Sequence, residues 1–314
     1  MSLLLAATGW DPAPWLRRFQ ALLPRYAIAT PETLTDRAAV RYAVCWRPGR
    51  GALTDLPGLQ AIFSLGAGVD HLLEAADLPD APVVRVVDPD LTGRMSEWVA
   101  LHALLHLRDF RRYERQQRDR LWDEDVDPPA AHEVRVGVLG FGELGRDAAR
   151  KLTALGFPVA AWSASAKTEP GVECFHGSDG LDVMLARTDI LVSLLPLTPA
   201  TRGILDARLF AKLAPDGRLG GPILLNAGRG GLQIEADILA ALDAGVLKAA
   251  SLDVFEQEPL PPASRLWSHP NVIVSPHNAA VSSTGAVARF IAGQIEAFER
   301  GEPLRHVVDR GRGY

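Results

Sequence analysis

Three side chains in the second half of this sequence suit one kind of chemistry. Arg229 follows the apolar run of ILLNAGRGG, Glu258 lies in SLDVFEQEPLPP, and His277 follows the apolar run of VIVSPHNAA. A histidine has a proton to give near neutral pH. A guanidinium fork matches a carboxylate in two-point contact. A glutamate beside the histidine would hold the ring and balance its charge. Together they suit reduction of a 2-oxo acid, which needs a cation for the carboxylate and carbonyl, a proton donor for the developing alkoxide, and a hydride. Singly each is weak, because an arginine in a turn usually faces solvent and a lone histidine more often has a structural place.

A hydride source is legible upstream, in VLGFGELGRDAARKLTALGFPVAAWSASAKT at 138–168. A strand precedes the glycines and a helix follows them, the context that a dinucleotide loop requires. Gly140 permits the tight turn, Gly142 lets the backbone approach a pyrophosphate, and Gly145 allows close helix–strand packing. The amides of Glu143 and Leu144 open the helix, so its positive dipole end faces the phosphates. The acid that grips the adenosine ribose about 20 residues on is missing. Ser163 stands there, and Ser163, Ser165 and Lys167 offer hydroxyls and a cation suited to a 2′-phosphate. NADP(H) is the expected cofactor, with a site that also takes NAD(H) as the alternative.

The elements that must position these groups alternate along the chain. Apolar runs that read as strands buried on both faces begin with LLLAAT, YAVCW (42–46), AIFSLG (61–66), VVRVV (83–87) and VRVGVLG (134–140). VAAW (159–162), DILVSLLP (189–196), ILLNAG (223–228), KAASLDV (248–254) and VIVSP (272–276) continue the series. Helix-period segments between them make crossovers into parallel sheets. Ten runs exceed one small sheet, which predicts an α/β chain of two Rossmann-like, doubly wound domains with a cleft between them. Residues 97–283 are expected to form the NAD(P)-binding domain, and 1–96 with 284–314 a discontinuous substrate domain. Glu97 to Arg120 reads as one long helix with an apolar stripe through Val99, Leu101, Leu104 and Leu105. A second helix starts near Thr284 and stops at Gly301.

Bulk properties narrow the classes. With 314 residues, 47% apolar and 23% charged, the chain can fill sizeable cores. A net charge of −5 gives no reason to expect nucleic acid or an anionic membrane. Cys45 and Cys174 stand far apart without metal-ligand spacing and read as free thiols of a reducing compartment. The opening MSLLLAATGWDPAPW lacks a basic n-region and is too short to span a bilayer. A cytoplasmic protein is expected.

The motifs together resemble the D-2-hydroxyacid dehydrogenases over nearly the whole chain. YAVCWRP, FSLGAGVDHLL, the glycine loop, WSAS, LLPLTPATRGILDARLF, LLNAGRGG, LDVFEQEPLPP, SPHNAA and the closing VDRGRGY carry the resemblance. It implies NADPH-dependent reduction of small 2-oxo acids, with glyoxylate and hydroxypyruvate the expected substrates and D-2-hydroxy acids the products. It makes Arg229 the substrate-binding arginine, His277 the acid/base and Glu258 its partner. Asp253 would contact the nicotinamide amide, while Leu195, Pro196, Thr201, Ala227 and Ala279 would lie along the cofactor. The backbone N–H groups of Ala67 and Gly68 would take the substrate carboxylate, and Trp46 and Arg94 would be pocket walls, although core packing serves Trp46 equally well. A homodimer through the long helix is also implied.

Two departures from the family pattern stand out. Ala164 replaces an arginine usual in NADP-type relatives, leaving Lys167 largely alone at the 2′-phosphate. KLAPDGRLGGPILLN is also a longer approach to its strand than usual. Lactate, phosphoglycerate or a larger keto acid is the alternative substrate, and a non-catalytic NAD(H) sensor is the rival of another class, against which Arg229, Glu258 and His277 argue. His102 and His106 share a helix face at zinc-like spacing, but without HExxH or a third ligand no metal is expected. The run RDFRRYERQQRDR at 108–120 mixes its arginines with Asp109, Glu114 and Asp119 and reads as a solvated or interface face.

Overall fold

Each of the ten apolar runs becomes a parallel strand, and two further strands join them. The computed structural model describes residues 1–314. In chain order the strands are β1 (Ser2–Ala7), β2 (Ala27–Ala29), β3 (Val40–Trp46), β4 (Ala61–Ser64), β5 (Val83–Val84) and β6 (Val136–Leu139). They continue with β7 (Val159–Ser163), β8 (Val172–His176), β9 (Ile190–Ser193), β10 (Ile223–Asn226), β11 (Ala249–Leu252) and β12 (Val272–Val274). The two strands not anticipated, β2 and β8, are edge strands. Short or half-exposed, they lack the continuous apolar run of a strand buried on both faces.

The chain divides into two units, Met1–Leu91 with Ser282–Tyr314, and Thr92–Val281. The joins fall at 91/92 and 281/282, a few residues before the expected 96/97 and 283/284. In the first unit, β2-β1-β3-β4-β5 form an all-parallel sheet. Leu3 and Leu5 point into one core, Leu4 and Ala6 into the other, as alternation along a strand dictates. The first core also takes helix α1 (Ala13–Leu22) through Trp15 and Phe19, and the last helix, Thr284–Glu299, through Val287, Ile291 and Ile295. Ser283 caps that last helix, its side chain accepting from the Ala286 N–H at 3.1 Å. Its final turn is tied to β3 by Glu299, whose Oε1 accepts from the hydroxyls of Tyr26 and Tyr42 at 2.9 and 2.6 Å.

The second unit is a seven-stranded parallel sheet in the order β12-β11-β10-β9-β6-β7-β8. From β6 the chain adds β7 and β8 on one side, then returns to lay β9 on the other. This makes β6/β9 the point where the strand order reverses, and ligands of open α/β sheets bind outside the carboxyl ends of such strands. Val136, Val138, Ile190 and Val192 face one core, while Leu139 and Leu191 face the opposite one.

The expected single helix over 97–120 is corrected. After the short α2 (Asp70–Leu73), α3 runs Pro89–Leu107 and α4 runs Phe110–Asp119. Asp88 starts α3, its carboxylate accepting from the amides of Asp90 and Leu91, with Pro89 at the first helical position, where no N–H is required. Between the helices Asp109 adopts φ +45°, which ends the regular repeat. The buried face of α3 also differs from the stripe expected. It passes through Met95, Trp98, Val99, His102, Ala103, His106 and Leu107, whereas Leu101 is 55% exposed. The remaining helices are α5 (Glu143–Ala154), α6 (Gly177–Leu185), α7 (Ala207–Phe210) and α8 (Glu235–Asp243). No helix is long and apolar enough to cross a membrane.

Candidate active site

The glycine loop joins β6 to α5 at the reversal of strand order. Gly140 has φ +96°, and a Cβ there would stand 2.7 Å from the Leu194 carbonyl, so the turn after β6 touches the segment after β9. A Cβ on Gly145 would meet the Gly140 oxygen at only 1.9 Å, hence the close helix–loop approach demands glycine. Gly142 caps α5, and a Cβ there would meet nothing within 4 Å. Open space in front of a helix N-terminus, with Glu143 and Leu144 in its first turn, fits a pyrophosphate.

The second half of this region suits a ribose phosphate. Ser163 ends β7, and its hydroxyl donates to the Ser165 carbonyl at 2.8 Å. The Lys167 ammonium donates to the Phe141 carbonyl within the glycine loop at 2.6 Å. The ammonium is thus tied back to the glycine loop. After β9, Leu195 is buried, and Thr201 fastens the following loop by donating to the Pro196 carbonyl at 2.7 Å and accepting from the Thr198 amide at 2.9 Å.

Arg229 follows β10 in a turn fixed by its neighbours. Asn226 is fully buried at the end of β10; its amide donates to Gln233 Oε1 at 2.8 Å, and its oxygen accepts from the Gly228 N–H at 3.1 Å. Gln233 donates onward to the Val254 carbonyl at 3.0 Å. At Gly230 an added Cβ would lie 1.7 Å from the Phe255 oxygen, so this turn packs directly on the loop beyond β11. Arg229 is half-buried and its guanidinium donates to the Gly228 carbonyl at 2.8 Å. Ala227, beside it, is buried.

That loop brings Glu258 to His277. Glu258 Oε1 accepts from the Phe255 N–H at 3.1 Å, and Oε2 stands 2.7 Å from His277 Nδ1. Both side chains are partly exposed, 23% and 34%, so the pair is reachable by a small solute. With Nδ1 engaged, Nε2 is the ring atom left for proton transfer. His277 adopts φ +52°, a region that residues with side chains rarely occupy. Asp253, 1% exposed, holds that turn: its backbone carbonyl accepts from the His277 N–H at 2.8 Å, and its carboxylate accepts from Ser275 Oγ and the amides of Asn278 and Ala279. Burial pushes its carboxyl above the usual range while these donors pull it back. Ala279 is buried in the same turn.

The second unit therefore gathers Arg229, Asp253, Glu258 and His277 on loops at the carboxyl ends of β10, β11 and β12. Arg94 stands exposed on α3. In the first unit, Trp46 ends β3, stacked on Trp10 at 5.1 Å. A Cβ on Gly66 would come within 2.6 Å of the Trp46 ring, which fits the tryptophan closely under the Gly66–Gly68 turn. The Ser64 hydroxyl fastens that turn, donating to the Gly68 carbonyl at 3.3 Å and accepting from the Gly66 N–H at 3.2 Å. The amides of Ala67 and Gly68 donate to no backbone carbonyl.

Sequence reasoning passed over three residues that shape these loops: Asn226, Gln233 and Ser275. The usable signal was the polar residue ending an apolar run, as in ILLN and VIVS. A polar side chain buried at a strand end needs partners and therefore organises the turn that follows.

The chain is similar to proteins of one known family. Residues 100–279 match the family described as D-isomer specific 2-hydroxyacid dehydrogenase, NAD binding domain. Over 320 aligned residues, covering 100% of both chains, the sequence is 38% identical to glyoxylate/hydroxypyruvate reductase A of Serratia proteamaculans (strain 568). Among solved structures, the NADPH-dependent glyoxylate/hydroxypyruvate reductase of Sinorhizobium meliloti, in complex with NADP and sulfate, is 48% identical over 100% of both chains with a TM-score of 0.94. A probable 2-hydroxyacid dehydrogenase from Rhizobium etli CFN 42, in complex with NADP, HEPES and L(+)-tartaric acid, is 46% identical with a TM-score of 0.94, covering 100% of this chain and 99% of that one.

Proposed function

The chain belongs to the D-isomer-specific 2-hydroxyacid dehydrogenase family, and from that premise we propose that it is an NADPH-dependent reductase of small 2-oxo acids, glyoxylate and hydroxypyruvate foremost. The observation that carries this reading is the 2.7 Å contact between His277 Nδ1 and Glu258 Oε2, on a loop that also abuts the Arg229 turn. NADPH, when bound, supplies the hydride that reduces the carbonyl carbon. Gly140, Gly142, Glu143, Leu144 and Gly145 would hold its pyrophosphate, and Ser163, Ser165 and Lys167 its 2′-phosphate. Leu195, Pro196, Thr201, Ala227, Asp253 and Ala279 would flank the rest. NADP in the Sinorhizobium meliloti and Rhizobium etli relatives supports the cofactor choice.

The chain's own groups do the remaining work. Arg229 binds the substrate carboxylate and carbonyl as a planar fork, offsetting the negative charge that grows on the oxygen. His277 gives that oxygen a proton from Nε2, and Glu258 keeps the imidazole oriented through Nδ1 and balances the positive charge before transfer. The product is the 2-hydroxy acid, of D configuration where the carbon is chiral. Within the first unit, the N–H groups of Ala67 and Gly68, with the Trp46 ring against their turn, would suit a carboxylate, and within the second Arg94 on α3 is a further cation for such a group.

The protein is further read as a cytoplasmic homodimer. Exposed apolar residues on α3, α4 and the loop beyond them, Leu101, Phe110, Leu121, Trp122 and Val126, support an interface there. A direct test of the function is oxidation of NADPH and NADH by the purified protein with glyoxylate, hydroxypyruvate, pyruvate and a bulky 2-oxo acid. Preference for NADPH and for the first two acids is expected; no turnover with either refutes the reading.

A further inference from the structure

The turn that carries His277 is braced from a side the reaction does not use. Along α3, Trp98, His102 and His106 recur every fourth residue and so share one helix face. Trp98 is buried, and its indole Nε1–H donates to Ser275 Oγ at 3.1 Å. The Ser275 hydroxyl donates in turn to Asp253 Oδ1 at 2.6 Å. An indole N–H can only donate, so it occupies a lone pair of the serine and leaves the serine's single proton for the carboxylate. The direction of the chain is thereby fixed: Trp98 to Ser275 to Asp253.

Trp98 is itself held in place. The His102 ring packs 4.1 Å from the indole, and its Nδ1 meets Ser251 Oγ on β11 at 2.9 Å. His106 Nε2 meets the same hydroxyl at 2.9 Å. Ser251 has one proton to share between two rings, so one imidazole receives it and the other donates its own N–H. Both rings serve α3 and the sheet, which accounts for the pair without a metal.

We propose that Trp98 and Ser275 are positioning residues for the reaction, fixing Asp253 so that its carboxylate and carbonyl hold the left-handed turn from which His277 reaches Glu258. An unfavoured backbone conformation persists only where its surroundings determine it, and His277 at φ +52° is bonded on both flanks to this one aspartate. Loss of a donor at Ser275 lets the aspartate turn, and the imidazole loses its alignment with the substrate oxygen. The proposal rests on His277 being the proton donor.

The test compares Ser275→Ala, Ser275→Thr and Trp98→Phe with the wild type in NADPH-dependent reduction of glyoxylate, and records the imidazole signals of His277 by nitrogen-15 NMR, assigned with His277→Ala. Misalignment at a reacting centre lowers the rate of the chemical step, so kcat should fall roughly tenfold in Ser275→Ala and about threefold in Trp98→Phe. Ser275→Thr keeps the hydroxyl and should retain most of kcat. The His277 signals should move in Ser275→Ala and remain in Ser275→Thr. Wild-type kcat and unmoved signals in Ser275→Ala, or a threonine variant as impaired as the alanine one, would overturn the proposal. If the wild type reduces no 2-oxo acid, the catalytic reading fails instead, and the His277 signals alone decide whether the turn is braced from α3.

Discussion

His277 Nδ1 and Glu258 Oε2 lie 2.7 Å apart although 19 residues separate them in sequence. The contact exists because β11 and β12 are parallel neighbours, which delivers the loop after one beside the turn after the other. The glutamate contributes both geometry and charge, and Glu258→Gln separates the two. It keeps a hydrogen-bond acceptor but removes the charge that balances the protonated ring. Reduction should slow by roughly ten- to a hundredfold with little change in KM for NADPH, measured by steady-state kinetics. Unaltered kcat would show that orientation alone matters.

Arg229→Lys replaces a planar fork with a point charge. Losing one charge-assisted hydrogen bond costs about 1.5–3 kcal/mol, so kcat/KM for glyoxylate should fall roughly ten- to a hundredfold, through a higher KM as well as a lower kcat. A lysine variant with wild-type kcat/KM would remove Arg229 from the substrate site.

Ser163→Asp restores a carboxylate where the ribose would lie. It should repel a 2′-phosphate and accept from ribose hydroxyls, moving the NADPH/NADH ratio of kcat/KM towards NADH by about tenfold or more. Lys167 is the nearby cation expected to face that phosphate, so Lys167→Ala should move the ratio the same way. An unchanged ratio in both variants would contradict the cofactor assignment.

Burial holds His102 at about 4 and His106 at about 3, below their ordinary 6.5. The unfolded chain takes up these protons near pH 6.5, whereas the folded protein resists until well below. The stability tied to the two neutral rings is therefore present above pH 6.5 and is lost as pH falls towards 4 and then 3. Tm should decline across that window. His106→Asn should lower Tm at pH 7 yet flatten the decline; a slope equal to the wild type's would show that other groups govern acid unfolding.

Much of the fold was legible because parallel strands buried on both faces leave continuous apolar runs, as in DILVSLLP and ILLNAG. The edge strands β2 and β8 lack that signature and were missed. The expected helix over 97–120 overran Asp109, because a left-handed residue that is not glycine leaves little trace in composition. At the site, Arg229, Glu258 and His277 stood out by residue type at strand ends. Their supports did not: Trp98 reads as one more apolar residue on a helix, and Ser275 as the polar end of a strand. Only the fold discloses that 177 residues of sequence separate two hydrogen-bonded partners.

The account turns on His277 as the proton donor in an NADPH-dependent 2-oxo acid reductase. NADPH consumption with glyoxylate and hydroxypyruvate, followed at the nicotinamide absorbance for wild type and His277→Ala, tests that most directly, with cofactor affinity measured alongside. The wild type should turn over, and the variant should lose roughly a hundred- to ten-thousandfold in kcat while binding NADPH about as tightly. A variant that reduces either acid at the wild-type rate would contradict it.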